Sequence, residues 1–264
     1  MRGTRVIAVT AALLLAALIA GAATIVSSSD NATTINPAHL VVSPGPLKSA
    51  TGVLTYTDGT GINATAVCTF DFEHLSANIA ANASLSIASV ALEVRLVGPV
   101  LLFNTATLQS LTGAPWVSIR VPKGPAALAR LGAVLRRPNL SVLPANRAAV
   151  VVTRGITATT LWFNHVTLPP TTGLPIVLPT HGRLVTTFTT GAQGQVLAIA
   201  AHLWNGSADI HLHLQMTGYN QPVAIEVPHP SDVVPLTRPL ARQVFGTNWP
   251  AVVHWLGRAG SPIP

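Results

Sequence analysis

The stretch Ala91–Pro122, ALEVRLVGPVLLFNTATLQSLTGAPWVSIRVP, constrains the fold more than any other part of the chain. Two runs dense in Val, Leu, Ile and aromatic residues, Val90–Phe103 and Trp116–Val121, are joined by a polar segment punctuated by Gly and Pro, the pattern of adjacent strands in a meander. In the first run Leu92, Val94 and Leu96 fall on one side of a strand, and Glu93 and Arg95 on the other. That is a half-buried strand. In the second, Val117, Ile119 and Val121 oppose Trp116, Ser118 and Arg120, and this apolar edge is expected to face a core or a cavity.

The same pattern begins at Leu47. Leu47–Thr57, a turn at Asp58-Gly59-Thr60-Gly61, Ile62–Phe72, Ser76–Ala83 and Leu85–Val97 read as successive antiparallel strands, and a meander of five or six strands curls under its own twist. With 21 prolines, 20 glycines and only 5% aromatic residues, short strands and turns are favoured over long helices. After Pro122 the period changes. Lys123–Arg137 places Ala126, Ala127, Leu128, Leu131, Val134 and Leu135 at helical spacing, with Pro125 tolerated in the first turn and Pro138 ending the run. The expected architecture is therefore α+β, mainly β: a curved antiparallel sheet with helical structure on its concave face.

Strands resume at Ala148–Thr153 and Thr157–Thr167 around an Arg154-Gly155 turn. Leu168–Pro179, rich in proline, reads as an edge or crossing segment. Leu184–Thr190 with Gln195–Trp204, and His211–Met216 with Pro222–Val227, read as two hairpins. The tail Pro235–Pro264 is apolar, with helical character around Leu240–Phe245 and Ala251–Leu256 and with Trp249 and Trp255 as anchors.

The N-terminus carries an export signal. Arg2 and Arg5 precede an uncharged stretch from Val6 to Val26, followed by polar SSSDNATT, the order of a secretory signal peptide or a signal anchor. The stretch is long enough to span a bilayer, and Ala20-Gly21-Ala22 also fits a cleavage site, so both fates stay open. An extracytoplasmic location follows, either membrane-anchored or secreted to the cell envelope. The net charge of +7 is scattered over separate arginines, which suits anionic lipid or envelope polymer and, with the export signal, argues against nucleic acid.

Chemistry-bearing patterns are sparse. The lone Cys68 precludes an internal disulfide and a cysteine metal cluster, and in its alternating run it reads as a small buried apolar residue. His211 and His213 share one face of a strand, with His202 on the neighbouring strand and Asp209 as the only obvious carboxylate; a solvated histidine pair is the expectation, and no metal or cofactor is assigned. Asp71 and Glu73, two apart, read as a solvated strand edge. There is no G-x-S-x-G, H-E-x-x-H or S-x-x-K pattern, so no catalytic residue is assigned and the chain is expected not to be an enzyme. Five N-x-[ST] triplets, at Asn31, Asn63, Asn82, Asn139 and Asn205, read as turn chemistry.

The order of elements resembles one family. The export segment, the meander through the Glu-Val-Arg and Trp-Val strands, the helix with RRPNLSVL, RGITATTLWFNHVTLP, LPIVLPTHGRLVTTFTT and LHLQMTGYNQPVAIEVPHPSDVV follow the order found in actinobacterial envelope lipoproteins of the LppX/LprG family. The resemblance spans Leu47–Leu236. It implies a LolA-like incomplete β-barrel with helices on the concave face and an apolar cavity between. It implies also extracytoplasmic binding, and by extension transport, of an acyl lipid or lipoglycan in a bacterial cell envelope. The chain departs from the family in lacking the lipid-attachment cysteine, so a membrane tether falls to Val6–Val26, and in a C-terminal extension.

The expected division is thus 1–26 signal peptide or anchor, 27–46 linker, 47–236 lipid-binding domain and 237–264 extension. Alternation and helical spacing nominate a cavity lining of Leu92, Val94, Leu96, Leu101, Phe103, Val117, Ile119, Leu128, Leu131, Leu135, Leu161 and Phe163. The alternative is a non-catalytic envelope module with a filled core, which binds a protein or polymer partner through its basic surface.

Overall fold

The computed structural model describes residues 45–59, 61–85, 88–140, 145–167, 181–206 and 209–245. The expected export segment, nearly all of the linker, the Pro-rich 168–179 segment and the last helical stretch of the tail lie outside the described residues.

The described chain is mainly β, one large curved sheet that does not close into a barrel. Its strands are β1 (Ser49–Asp58), β2 (Asn63–Asp71), β3 (Ser76–Leu85), β4 (Ala88–Val97), β5 (Val100–Asn104), β6 (Trp116–Arg120), β7 (Arg147–Thr153), β8 (Ile156–Thr167), β9 (His181–Thr190), β10 (Val196–Trp204), β11 (Asp209–Tyr219) and β12 (Val233–Pro235). Three α-helices accompany them: α1 (Ala106–Thr112), α2 (Gly124–Arg136) and α3 (Arg238–Phe245). The order across the sheet is β12-β6-β5-β4-β3-β2-β1-β11-β10-β9-β8-β7. Two meanders, β1 to β6 and β7 to β11, are therefore joined through the long-range β1–β11 pair, with Leu54 opposite Leu214 and Tyr56 opposite Leu212.

The opening stretch supplies three strands and a helix. Gly98, at φ +52°, turns the chain between β4 and β5, so the first apolar run is two strands and not one. The polar segment between the runs folds as α1, capped at one end by the Thr105 hydroxyl, which accepts from the Leu108 N–H at 3.0 Å, and at the other by Gly113 in the left-handed conformation. In the sequence this segment reads as a plain polar connection, because so short a helix shows little periodicity.

The helix expected at Lys123–Arg137 is α2, and its Leu128, Leu131 and Leu135 are buried. It touches both β3 and β10, which are separated in the sheet by β2, β1 and β11. One short helix can reach both only from inside the curve, so α2 sits on the concave face.

The expected strand Pro222–Val227 does not form. β11 runs on to Tyr219, Asn220 turns the chain at φ +53°, and residues 221–229 cross the outer face instead. Arg95, on the face opposite Leu92, Val94 and Leu96, donates from Nη1 to the Glu226 carbonyl at 2.6 Å and holds this strap. The strap delivers β12 parallel to β6, an edge position where Pro235 withholds no needed donor. Beyond it, α3 places Ala241 in the same apolar cluster as Leu128 and Leu236, so the start of the C-terminal extension packs into the main core.

Candidate functional site

Eleven of the twelve residues nominated as a lining fall in one buried apolar cluster: Leu92, Val94, Leu96, Leu101, Phe103, Val117, Ile119, Leu128, Leu131, Leu135 and Leu161, with half-buried Phe163 packed against it. The alternation expected of β4 and β6 is therefore the alternation observed. At the helix this cluster is tightly filled. Leu128 and Leu135 have 0% exposure, and Val94, Leu96 and Val117 have 1%. A Cβ placed on Gly132 would stand 2.9 Å from Phe72 Cδ1, and one on Gly124 would stand 2.9 Å from Leu96 Cδ1. Protein atoms cover these residues at that end of the concave face.

The concave face has a second end. The filled cluster takes in Ala50, Tyr219 and Met216, near the Ser49 end of β1. Toward the Asp58 end a smaller cluster gathers Tyr56, Leu184, Ala201, Leu203 and Ile210, with Ile62, Ala64, Leu212 and Phe163 only partly buried against it. Leu54 and Leu214, paired across β1 and β11, are also half-buried and continue this floor toward the helix. Leu54, Leu212, Leu214 and Phe163 thus present accessible apolar surface on the inside of the curve. Period-2 alternation in Ile210, Leu212, Leu214 and Met216 could have identified the β11 members, since the intervening His211 and His213 mark the opposite face.

Tyr56 gives this floor a polar group at depth, and Thr186, between Leu184 and Phe188 on β9, gives another. The Tyr56 ring is buried, and its hydroxyl donates to Asp58 Oδ2 at 3.1 Å. Burial first, and the Asp58 carboxylate second, push its ionisation far above that of an ordinary tyrosine, so the hydroxyl stays a neutral donor. The floor is otherwise lined by Leu54, Leu184, Leu203, Ile210, Leu212 and Leu214, with the Asp58 carboxylate at its rim.

No nucleophile emerges from the other candidates. Cys68 is buried at 2% exposure, and burial pushes its thiol up to about 12, which leaves it protonated at neutral pH. Asp71, expected on a solvated edge, is buried instead: its Oδ1 accepts the Glu73 backbone N–H at 3.1 Å and shapes a turn. His211 and His213 do lie on the outer face, but His211 faces His202 across the β10–β11 pair while His213 faces Ala200. The sequence matches no family model and no curated protein sequence.

Proposed function

We propose that the chain is a non-catalytic, extracytoplasmic lipid-binding protein that holds an acyl chain against the concave floor at the Asp58 end of β1. The observation that carries this reading is the half-buried set Leu54, Leu212 and Leu214, with Phe163 on β8, on the inside of an open, curved sheet. Hydrocarbon needs only a dry apolar surface, and each CH2 moved onto it from water contributes about 0.8 kcal/mol. Tyr56 and Asp58 then stand where a polar headgroup would meet the rim. The resemblance to LppX/LprG carriers, the apolar Val6–Val26 segment and the scattered positive charge support an envelope location beside acyl lipid or lipoglycan. Contact with the ligand falls chiefly to the floor residues and Phe163, because the leucines under α2 are already in contact with protein.

A second reading, a filled module that binds a protein or polymer partner, is favoured by the complete burial of Leu128 and Leu135 and the close approach of α2 to Phe72. Native mass spectrometry with lipid extraction, on the full chain purified from bacterial membranes, separates the two. One co-purified acyl lipid per chain is expected, and Leu212→Glu with Leu214→Glu should lose it while keeping a wild-type circular-dichroism spectrum. A bare protein mass after incubation with envelope lipids, or undiminished lipid on the folded double variant, would sink the carrier reading.

A further inference from the structure

The outer face of the sheet carries a cluster that lipid binding does not use. Beside the turn of the β10–β11 hairpin, register places His202 directly opposite His211, with Asp209 opposite Trp204. The imidazoles stack, with centroids 4.1 Å apart and planes at 12°. Each presents its Nε2 to the same carboxylate oxygen, Asp209 Oδ1, His202 at 2.5 Å and His211 at 3.3 Å. Trp204 covers the other side of His202 at 4.5 Å and restricts its ring. The histidines are half-buried and Asp209 is exposed.

We propose that His202, Asp209 and His211 form a binding site for a divalent transition-metal ion of the zinc or copper class. The geometry points to it because one ligand atom from each of the three residues lies within 4.8 Å of the other two. Three atoms bound to zinc at about 2.0–2.2 Å in tetrahedral array lie roughly 3.3–3.6 Å from one another. The His211–Asp209 separation already meets that spacing, and Asp209, at 59% side-chain exposure, has room to rotate away from His202. Two imidazoles and one carboxylate suit zinc or copper, and exclude a preference for magnesium or calcium, which take oxygen ligands. Coordination replaces the two Asp209–histidine contacts with bonds to one ion and leaves a position for water. Trp204 acts as a packing wall for the ligand and as a built-in reporter.

A plain Asp–His ion pair would use the same residues, so the test must detect the ion itself. The detergent-solubilised full chain is titrated with zinc chloride by calorimetry, and with copper(II) while tryptophan emission is followed. One zinc per chain is expected. His202→Ala, His211→Ala and Asp209→Asn should each weaken binding at least about tenfold, the lower range for disturbing even a ligand's outer support. His229→Ala, in an exposed turn remote in sequence from the hairpin, should bind as the wild type does. Copper should quench emission in the wild type, and Trp204→Phe should lose most of that quenching while binding zinc normally. Absence of zinc heat in the wild type, wild-type affinity in the ligand variants, or undiminished quenching in Trp204→Phe would each overturn the site.

Discussion

Asp71 and His74 lock the turn between β2 and β3 through both oxygens of one carboxylate. Oδ1 accepts the His74 backbone N–H at 3.0 Å and that of Glu73 at 3.1 Å, while Oδ2 meets His74 Nδ1 at 2.7 Å. The turn needs this support because Leu75 follows it at φ +50°, a conformation unfavourable for a leucine. Burial pushes the Asp71 carboxyl up, but the bonds from His74 and Glu73 outweigh it and hold the group below its ordinary value of 3.8. The Asp71 hydrogen bond and charge raise His74 above its ordinary 6.5. A depressed carboxyl stabilises the fold above its unfolded value and stops doing so as pH falls through the folded one; a raised histidine stabilises below its unfolded value and stops as pH rises through the folded one. The pair therefore contributes most between the two ordinary values, 3.8 and 6.5. Asp71→Ala should cost about 1–2 kcal/mol in urea unfolding at pH 5, the range for losing a capping carboxylate. His74→Ala should narrow its gap from wild type as pH rises past neutrality. A gap independent of pH would rule out the ion pair.

The hairpin of β7 and β8 turns on Arg154 and Gly155, both at positive φ, +50° and +80°. A two-residue hairpin of this shape favours Asn-Gly, and an arginine there holds a left-handed conformation at a cost of about 1 kcal/mol. Arg154→Asn should raise stability by a few tenths to about 1 kcal/mol. A thermal melt checks this, and a lower midpoint would mean that the arginine side chain contributes more than its backbone strain removes.

The fold was legible where one physical signal acts locally, and obscure where it acts at a distance. Alternation in Leu92, Val94 and Leu96 located a strand and its buried face, and the leucines of α2 located its inner stripe. Nothing local announces that β1 must pair with β11, or that the strap fixed by Arg95 carries β12 back beside β6. The run Pro222–Val227 has strand-like composition, but its neighbour's edge is taken by β1, which leaves it no partner. At the sites the limit was register. His202, Asp209 and His211 are separately visible in the sequence, yet only the pairing of β10 with β11 sets His202 against His211, where spacing along one strand suggested His213. The half-buried floor was hidden for a different reason: hydrophobicity identifies residues that avoid water, and does not distinguish fully packed Leu128 from half-buried Leu212.

The filled end of the concave face depends on a glycine. Gly132 is buried in the inner stripe of α2, where alanine would ordinarily favour the helix by about 1 kcal/mol. Its Cβ, however, would stand 2.9 Å from Phe72 Cδ1, and the Phe72 ring is stacked on Phe70 with centroids 6.0 Å apart, which limits its retreat. Overpacking of this kind costs about 1–3 kcal/mol, so the clash outweighs the propensity. Gly132→Ala should destabilise the chain by about 1 kcal/mol in net terms. Once Phe72→Ala has removed the ring, the same substitution should become neutral or stabilising. A double-mutant cycle by urea unfolding measures the difference as a coupling energy between the two positions. Equal effects of Gly132→Ala in both backgrounds would show that the helix seats on the sheet without this contact, and would reopen the filled end as room for a ligand.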